Sequence, residues 1–207
     1  MVAAFLALRL YSVLGKRTGH EQTFVTPPVE TTAVGAAAPV TEPRVALGAA
    51  QDSVFEPGAA AGVRAIVAAD NSFDVARFLD GAKAAYRMIL EGYWRGDEEA
   101  YAPYVGDDVR AAFAESMAER TAAGHVLDNR LVAIENATIA DARLDGKLAT
   151  ITVRFEADIA AVTRDGEGNV VAGSTSDAVA TQDNWTFTRT LRSDDPNWIL
   201  VETDESA

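Results

Sequence analysis

Two strands joined by a polar turn occupy residues 177–203, and they restrict the fold of this chain more than any other stretch. Trp185, Phe187 and Arg189 alternate with Thr186, Thr188 and Thr190. That period of two belongs to a strand with one buried and one wet face. Ser193-Asp194-Asp195-Pro196-Asn197 supplies the turn, with Pro196 fixing φ. Trp198, Leu200 and Glu202 then alternate with Ile199 and Val201 as the second strand.

Upstream the period changes from two to helical. Leu79, Ala82, Tyr86, Ile89, Leu90 and Tyr93 share one helix face, with Asn71 or Ser72 as the expected cap and Gly96 as the stop. Asp97 caps a short turn that Pro103 ends. Asp107 or Asp108 opens a second long helix carrying Val109, Ala112, Phe113, Ser116 and Met117, which Gly124 terminates. Leu131 to Glu135 and Thr138 to Leu144 read as strands, and Asp145-Gly146 is a strong hairpin turn. Ile151, Val153 and Phe155 alternate with Thr150, Thr152 and Arg154, and Asp165-Gly166-Glu167-Gly168 makes a further turn. Helices followed by a meander predict an α+β layer, with the helices against one curved antiparallel sheet of about four strands.

Three regions divide the 207 residues. Residues 1–22 begin with an apolar run from Met1 to Leu14, interrupted by Arg9 and closed by Lys16-Arg17. The run is shorter than the roughly 20 apolar residues of a spanning helix. No positive charge precedes it and no small-residue cleavage site follows it, unlike a signal peptide. It reads as a membrane anchor, truncated or interfacial, followed by a basic flank. Residues 23–66, rich in Ala, Thr and Pro, read as a disordered linker with at most a short helix around 63–69. Residues 67–207 form the expected globular domain.

Charge excludes some partners. The formal net charge is −13 at pH 7. In the first 66 residues Arg9, Lys16, Arg17, Arg44 and Arg64 balance Glu21, Glu30, Glu42, Asp52 and Glu56. The domain therefore carries the whole excess, and it repels phosphate backbones, so no nucleic acid is expected as a partner. The chain contains no cysteine and only two histidines, His20 and His125. No metal site and no cofactor are expected.

The motifs resemble the Tim44-like domain family in order and kind. The resemblance begins with Phe78-Leu79-Asp80-Gly81-Ala82-Lys83-Ala84-Ala85-Tyr86 and Tyr93-Trp94-Arg95-Gly96-Asp97. It continues through Val109 to Phe113, Glu119-Arg120, Ile139 to Ala142, Ala149 to Phe155 and Arg164-Asp165-Gly166. Asp183-Asn184-Trp185-Thr186-Phe187-Thr188-Arg189 and Asp195-Pro196-Asn197-Trp198-Ile199-Leu200 complete it, covering roughly 73–203. Arg9 to Glu21 also resembles the segment after the membrane anchor in bacterial members.

The resemblance implies a cone-like domain of the nuclear-transport-factor-two kind, with a pocket between sheet and helices. Mitochondrial relatives sit on the matrix face of the inner membrane, recruit an Hsp70 chaperone to the import channel and contact cardiolipin. This chain lacks their long charged N-terminal region, so motor tethering does not carry over. The implied function is a non-catalytic adaptor on the cytoplasmic face of the inner membrane. It would be attached through residues 1–22 and hold a client polypeptide, a membrane protein or an acyl lipid.

The pocket expected on this reading is lined by Tyr86, Leu90, Tyr93, Trp94, Ile151, Val153, Phe155, Trp185, Phe187 and Trp198. Trp185 and Trp198 read first as sheet core or pocket wall, and Tyr93-Trp94 as core packing near the open end. Asp97-Glu98-Glu99 reads as a solvated helix start that suits the helix dipole.

The alternative is an isomerase or dehydratase on the same cone. Its acid–base candidates are Tyr86, His125, Asp128, Asp141 and Asp158, with His125 read as a turn residue and the two strand aspartates as outward-facing. No triad, phosphate loop or metal-ligand spacing accompanies them. Two buried carboxylates, or an Asp/Tyr pair facing inward, would favour this alternative.

Overall fold

The computed structural model describes residues 54–205. The proposed anchor at 1–22 and most of the expected linker lie outside the described residues. Among those described, α1 spans Ala60–Ala69, α2 Val75–Arg95, α3 Glu98–Tyr101 and α4 Asp107–Ala122. The strands are β1 Val126–Leu127, β2 Arg130–Asp145, β3 Leu148–Arg164, β4 Val170–Thr190 and β5 Ile199–Glu205. Helices precede a single antiparallel sheet, and the α+β cone expected from the sequence stands.

The long helix starts later than its local sequence suggests. Asp74 is the cap, its carboxylate accepting from the Arg77 amide at 2.7 Å. Ser72 is drawn into a different turn, donating through its amide and hydroxyl to Asp70 at 2.9 and 2.6 Å. Those two bonds hold the Asp70 carboxyl below its usual range. Asp74→Ala should lower unfolding free energy by about 1 kcal/mol and Asp74→Ser by much less, measured by urea denaturation. Gly96 ends α2 in the left-handed region, φ 73°, and the Asp97 carboxylate accepts from the Ala100 amide as α3 begins. Gly106 precedes α4 as its cap, with Asp107 and Asp108 already in the first turn.

The sheet is built around β3. β2 pairs with it from Arg130↔Ala160 to Asp145↔Leu148, so the two short strands expected here are one. Register shifts at Leu131/Ala133, Ile134/Asn136 and Ile139/Asp141 keep that strand continuous while bending it, and bulges sharpen twist in this way. β1 continues the same edge beyond Asp128 and Asn129. There the Asp128 amide donates to Val162 O at 2.8 Å, and the Asn129 side chain accepts from the Val162 amide at 2.9 Å. β4 lies on the other side of β3, and β5 lies outside β4.

Two expectations near the C-terminus need correction. Trp198 precedes β5 and is not a strand residue. A register shift between Thr186 and Phe187 places Leu200 opposite Phe187 but Thr203, not Glu202, opposite Trp185. The extra residue, Val201, turns the strand over, so the alternation read from Trp198 to Glu202 breaks halfway.

The packed domain also begins before the expected linker ends at residue 66. Val54 and Glu56 bracket Ile139 of β2: the Ile139 amide donates to Val54 O at 3.0 Å and the Glu56 amide to Ile139 O at 2.8 Å. Glu56 pairs with Arg154. Ala59, Val63 and Ile66 are buried, and α1 lies along β2. At the far end of α1, Arg192 donates to Ala69 O from Nε and Nη2 at 3.2 and 2.9 Å, and Arg189 pairs with Asp70 at 3.4 Å. An Ala- and Gly-rich helix shows little apolar periodicity, yet its small residues permit a close approach to the sheet.

Candidate ligand site between the long helix and the sheet

Residues directly opposite in an antiparallel ladder project to the same face, so the register arranges the inner face of the sheet in rows. Ala142, Ile151 and Phe187 form the first. Ile139, Val153 and Trp185 form the second, and Ala137, Phe155 and Asp183 the third. Ile134, Ala157 and Thr181 follow, then Leu131, Ile159 and Val179.

α2 runs along these rows. Phe78 meets Phe187 edge-on at 6.3 Å, and Tyr86 stacks on Phe155 at 4.3 Å and touches Trp185 at 4.7 Å. Eight helical residues rise about 12 Å, close to the roughly 13 Å spanned by four strand residues from Phe187 to Asp183. The helix therefore tracks the strands from the first row to the third.

The ten residues expected to line the pocket fall in one cluster, nine buried and Trp198 packed at its margin. The structure brings Tyr86, Phe155 and Trp185 into direct ring contact, with Phe187 next to Trp185 at 6.4 Å. Ile151 and Val153 lie in the same rows, and Leu90 and Trp94 are buried on α2. Tyr93 turns toward α4 instead: its ring meets Phe113 at 4.8 Å, its hydroxyl bonds Ser116 at 2.6 Å and the Arg120 guanidinium lies over it at 5.4 Å. Trp198 packs against Phe73 and Phe78, with ring centres at 5.8 and 4.8 Å.

The polar group at the centre of this site is Asp183, which the sequence reading did not single out. The Tyr86 hydroxyl donates to Asp183 Oδ2 at 2.5 Å. Both residues are buried. Burial first, and the negative charge of Asp183 second, push the Tyr86 phenol far above its usual pKa. Tyr86 is thus a fixed hydrogen-bond donor and not a base, and the carboxylate is the acceptor. A signal for Asp183 does exist in the sequence, since it lies two and four residues before Trp185 and Phe187 and shares their parity.

The other acid–base candidates do not converge on this pair. Asp128 is exposed and bonds Arg164 at 3.0 Å. Asp141 is exposed, Asp158 sits between the inward-facing Ala157 and Ile159 on the other face of β3, and His125 lies in the turn after α4.

Residues 59–205 match the model of the Tim44-like domain. The chain belongs to the Tim44-like domain family. No curated protein matches it. Among solved structures, the Tim44-like domain is similar to the intermembrane space region of chloroplast protein ARC6. That alignment has a TM-score of 0.45 and 18% identity, over 65% of this chain and 98% of the other.

Proposed function

We propose that this Tim44-like domain is a membrane-associated, non-catalytic adaptor that holds a client polypeptide or a lipid at the cytoplasmic face of the inner membrane. The observation that carries this reading is the family match over residues 59–205. No helix among the described residues is long and apolar enough to cross a membrane, so attachment is assigned to residues 1–22. There the apolar run precedes Lys16 and Arg17, and basic residues after such a run favour the cytoplasmic side.

One observation favours the second reading, an isomerase or dehydratase. Tyr86 and Asp183 form the inward-facing Asp/Tyr pair such an enzyme needs, with the carboxylate as base and the phenol as donor. The first reading is preferred because Tyr86 has 0% exposure, packed between Phe155 and Trp185, where no substrate reaches its hydroxyl.

Solubilising membranes in mild detergent and recovering the intact chain should co-purify a stoichiometric protein or lipid. A chain lacking residues 1–53 should recover none. Recovery of the chain alone, together with turnover of a carbonyl substrate that Asp183→Asn abolishes, would establish the enzyme instead.

A further inference from the structure

One edge of the sheet is open. β5 covers β4 from Thr188 only as far as Asp183, and among the described residues no strand lies beside β4 from Gln182 back to Val170. The ladder to β3 keeps one register from Leu148↔Thr190 to Ala160↔Ala178 and then breaks, with residues 174–177 standing opposite Ala161 alone. What remains is a slot of five residues, Ala178-Val179-Ala180-Thr181-Gln182, about 17 Å long. Strand residues turn their backbone groups to the two edges alternately. The Leu191 amide, in the same register, donates to Lys147 O at 2.8 Å. Val179 and Thr181 therefore turn their amides and carbonyls to β3, and Ala178, Ala180 and Gln182 turn theirs to the open side. Within the slot there is no lysine, proline or charge, the usual guards of an exposed edge, and Ala178, Val179 and Ala180 are exposed.

We propose that this slot binds an extended polypeptide segment as an added antiparallel strand, one that alternates lysine or arginine with β-branched apolar residues. Ala178, Ala180 and Gln182 exchange backbone hydrogen bonds with it. Its side chains fall on two faces. Those beside Val179 and Thr181 cover Val179, 42% exposed, the one exposed member of the row that Leu131 and Ile159 begin. Those beside Ala180 and Gln182 lie on the other face, where β3 carries Asp158 opposite Ala180 and Glu156 opposite Gln182. Among the described residues no cation pairs with either carboxylate. Alanine at position 180 leaves the way to Asp158 open across two strand spacings, about 9.5 Å, within reach of a long basic side chain. Charge decides against a second copy as the occupant. A two-fold pairing centred on Ala180 would bring Asp177 of each copy to the end of the other's β5, beside Asp204, acid against acid. The inference rests on the client-binding side of the proposed function and adds how the client is held.

The test measures binding of fluorescent peptides to the intact chain by anisotropy at about 0.15 M salt, where the Debye length is about 8 Å. Lys-Val-Lys-Val-Lys should bind at least about tenfold more tightly than Lys-Lys-Lys-Val-Val, which carries the same charge. It should exceed by as much the alternating peptide N-methylated at its lysines, which cannot donate to the edge. Ala180→Pro removes one outward amide and keeps the ladder to β3, so it should weaken binding about tenfold at an unchanged urea midpoint. Asp158→Asn should weaken the lysine peptide and leave Ser-Val-Ser-Val-Ser unaffected. Equal binding of the alternating, reordered and N-methylated peptides overturns the inference, and that comparison on the native chain decides even if Ala180→Pro does not fold. A native dimer that Ala180→Pro turns into monomers also overturns it, giving the edge to a second copy. Recovery of the same client from membranes by the native and Ala180→Pro chains overturns the inference and leaves the adaptor reading standing. A native chain that recovers nothing overturns the adaptor reading itself.

Discussion

Replacing Trp185 with alanine is expected to cost about 3–5 kcal/mol, the range for truncating a large buried aromatic. The ring is almost wholly enclosed, within 4.7 Å of Tyr86, 6.0 Å of Phe155 and 6.4 Å of Phe187 between ring centres. Its removal opens a void at the junction of α2 with β3 and β4, where Tyr86 cannot move in without leaving Asp183. Domains of this kind are stable by only about 5–15 kcal/mol, so the loss should appear as a large fall in the urea midpoint at unchanged slope. Trp185→Phe, which keeps a ring, should recover much of it. If Trp185→Ala leaves stability intact and abolishes ligand binding, the ring lines a binding site and does not hold the core.

The second large effect lies in α1. A methyl group at Gly62 would sit well inside contact distance of the Ala142 carbonyl, and 3.0 Å from the Ala142 side chain. The obstacle is strand backbone, so α1 must lift from β2. Gly62→Ala should therefore destabilise by about 3 kcal/mol, the upper end of the range for overpacking. Gly81 provides the control, because it is exposed within α2 with nothing near the same added atom. Gly81→Ala should stabilise by about 0.5–1 kcal/mol, since glycine inside a helix loses more backbone freedom than alanine. Thermal melts of the two variants should move in opposite directions. A neutral Gly62→Ala would mean that α1 does not lie against Ala142.

Local signals were the ones legible in the sequence. Gly96 and Asp97 divide α2 from α3, and the Asp145-Gly146 turn joins β2 to β3, because each works within a few residues of chain. The inward face of β3 and the last part of β4 also followed directly, from Ile151, Val153, Phe155, Trp185 and Phe187 at period two.

What was missed depends on contacts distant in sequence. The edge between residues 54 and 69 exists because Ile139 and Ala142 receive it, and nothing within its Ala- and Gly-rich residues announces that partner. Asp183 has inward parity, but an aspartate gives no apolar signal, and its bond to Tyr86 joins it to a residue 97 positions away. The extra residue at Val201 could not be seen from β5 alone, since a bulge is a property of two strands.

The central proposal is that this Tim44-like domain is a binding domain held on a membrane by its N-terminal segment. Flotation of the purified intact chain with vesicles of inner-membrane lipid, beside the same chain lacking residues 1–53, tests that claim most directly. The account predicts that the intact chain rises with the vesicles and the shortened one stays at the bottom, folded. Equal behaviour of the two chains, whether both float or both remain below, would contradict it.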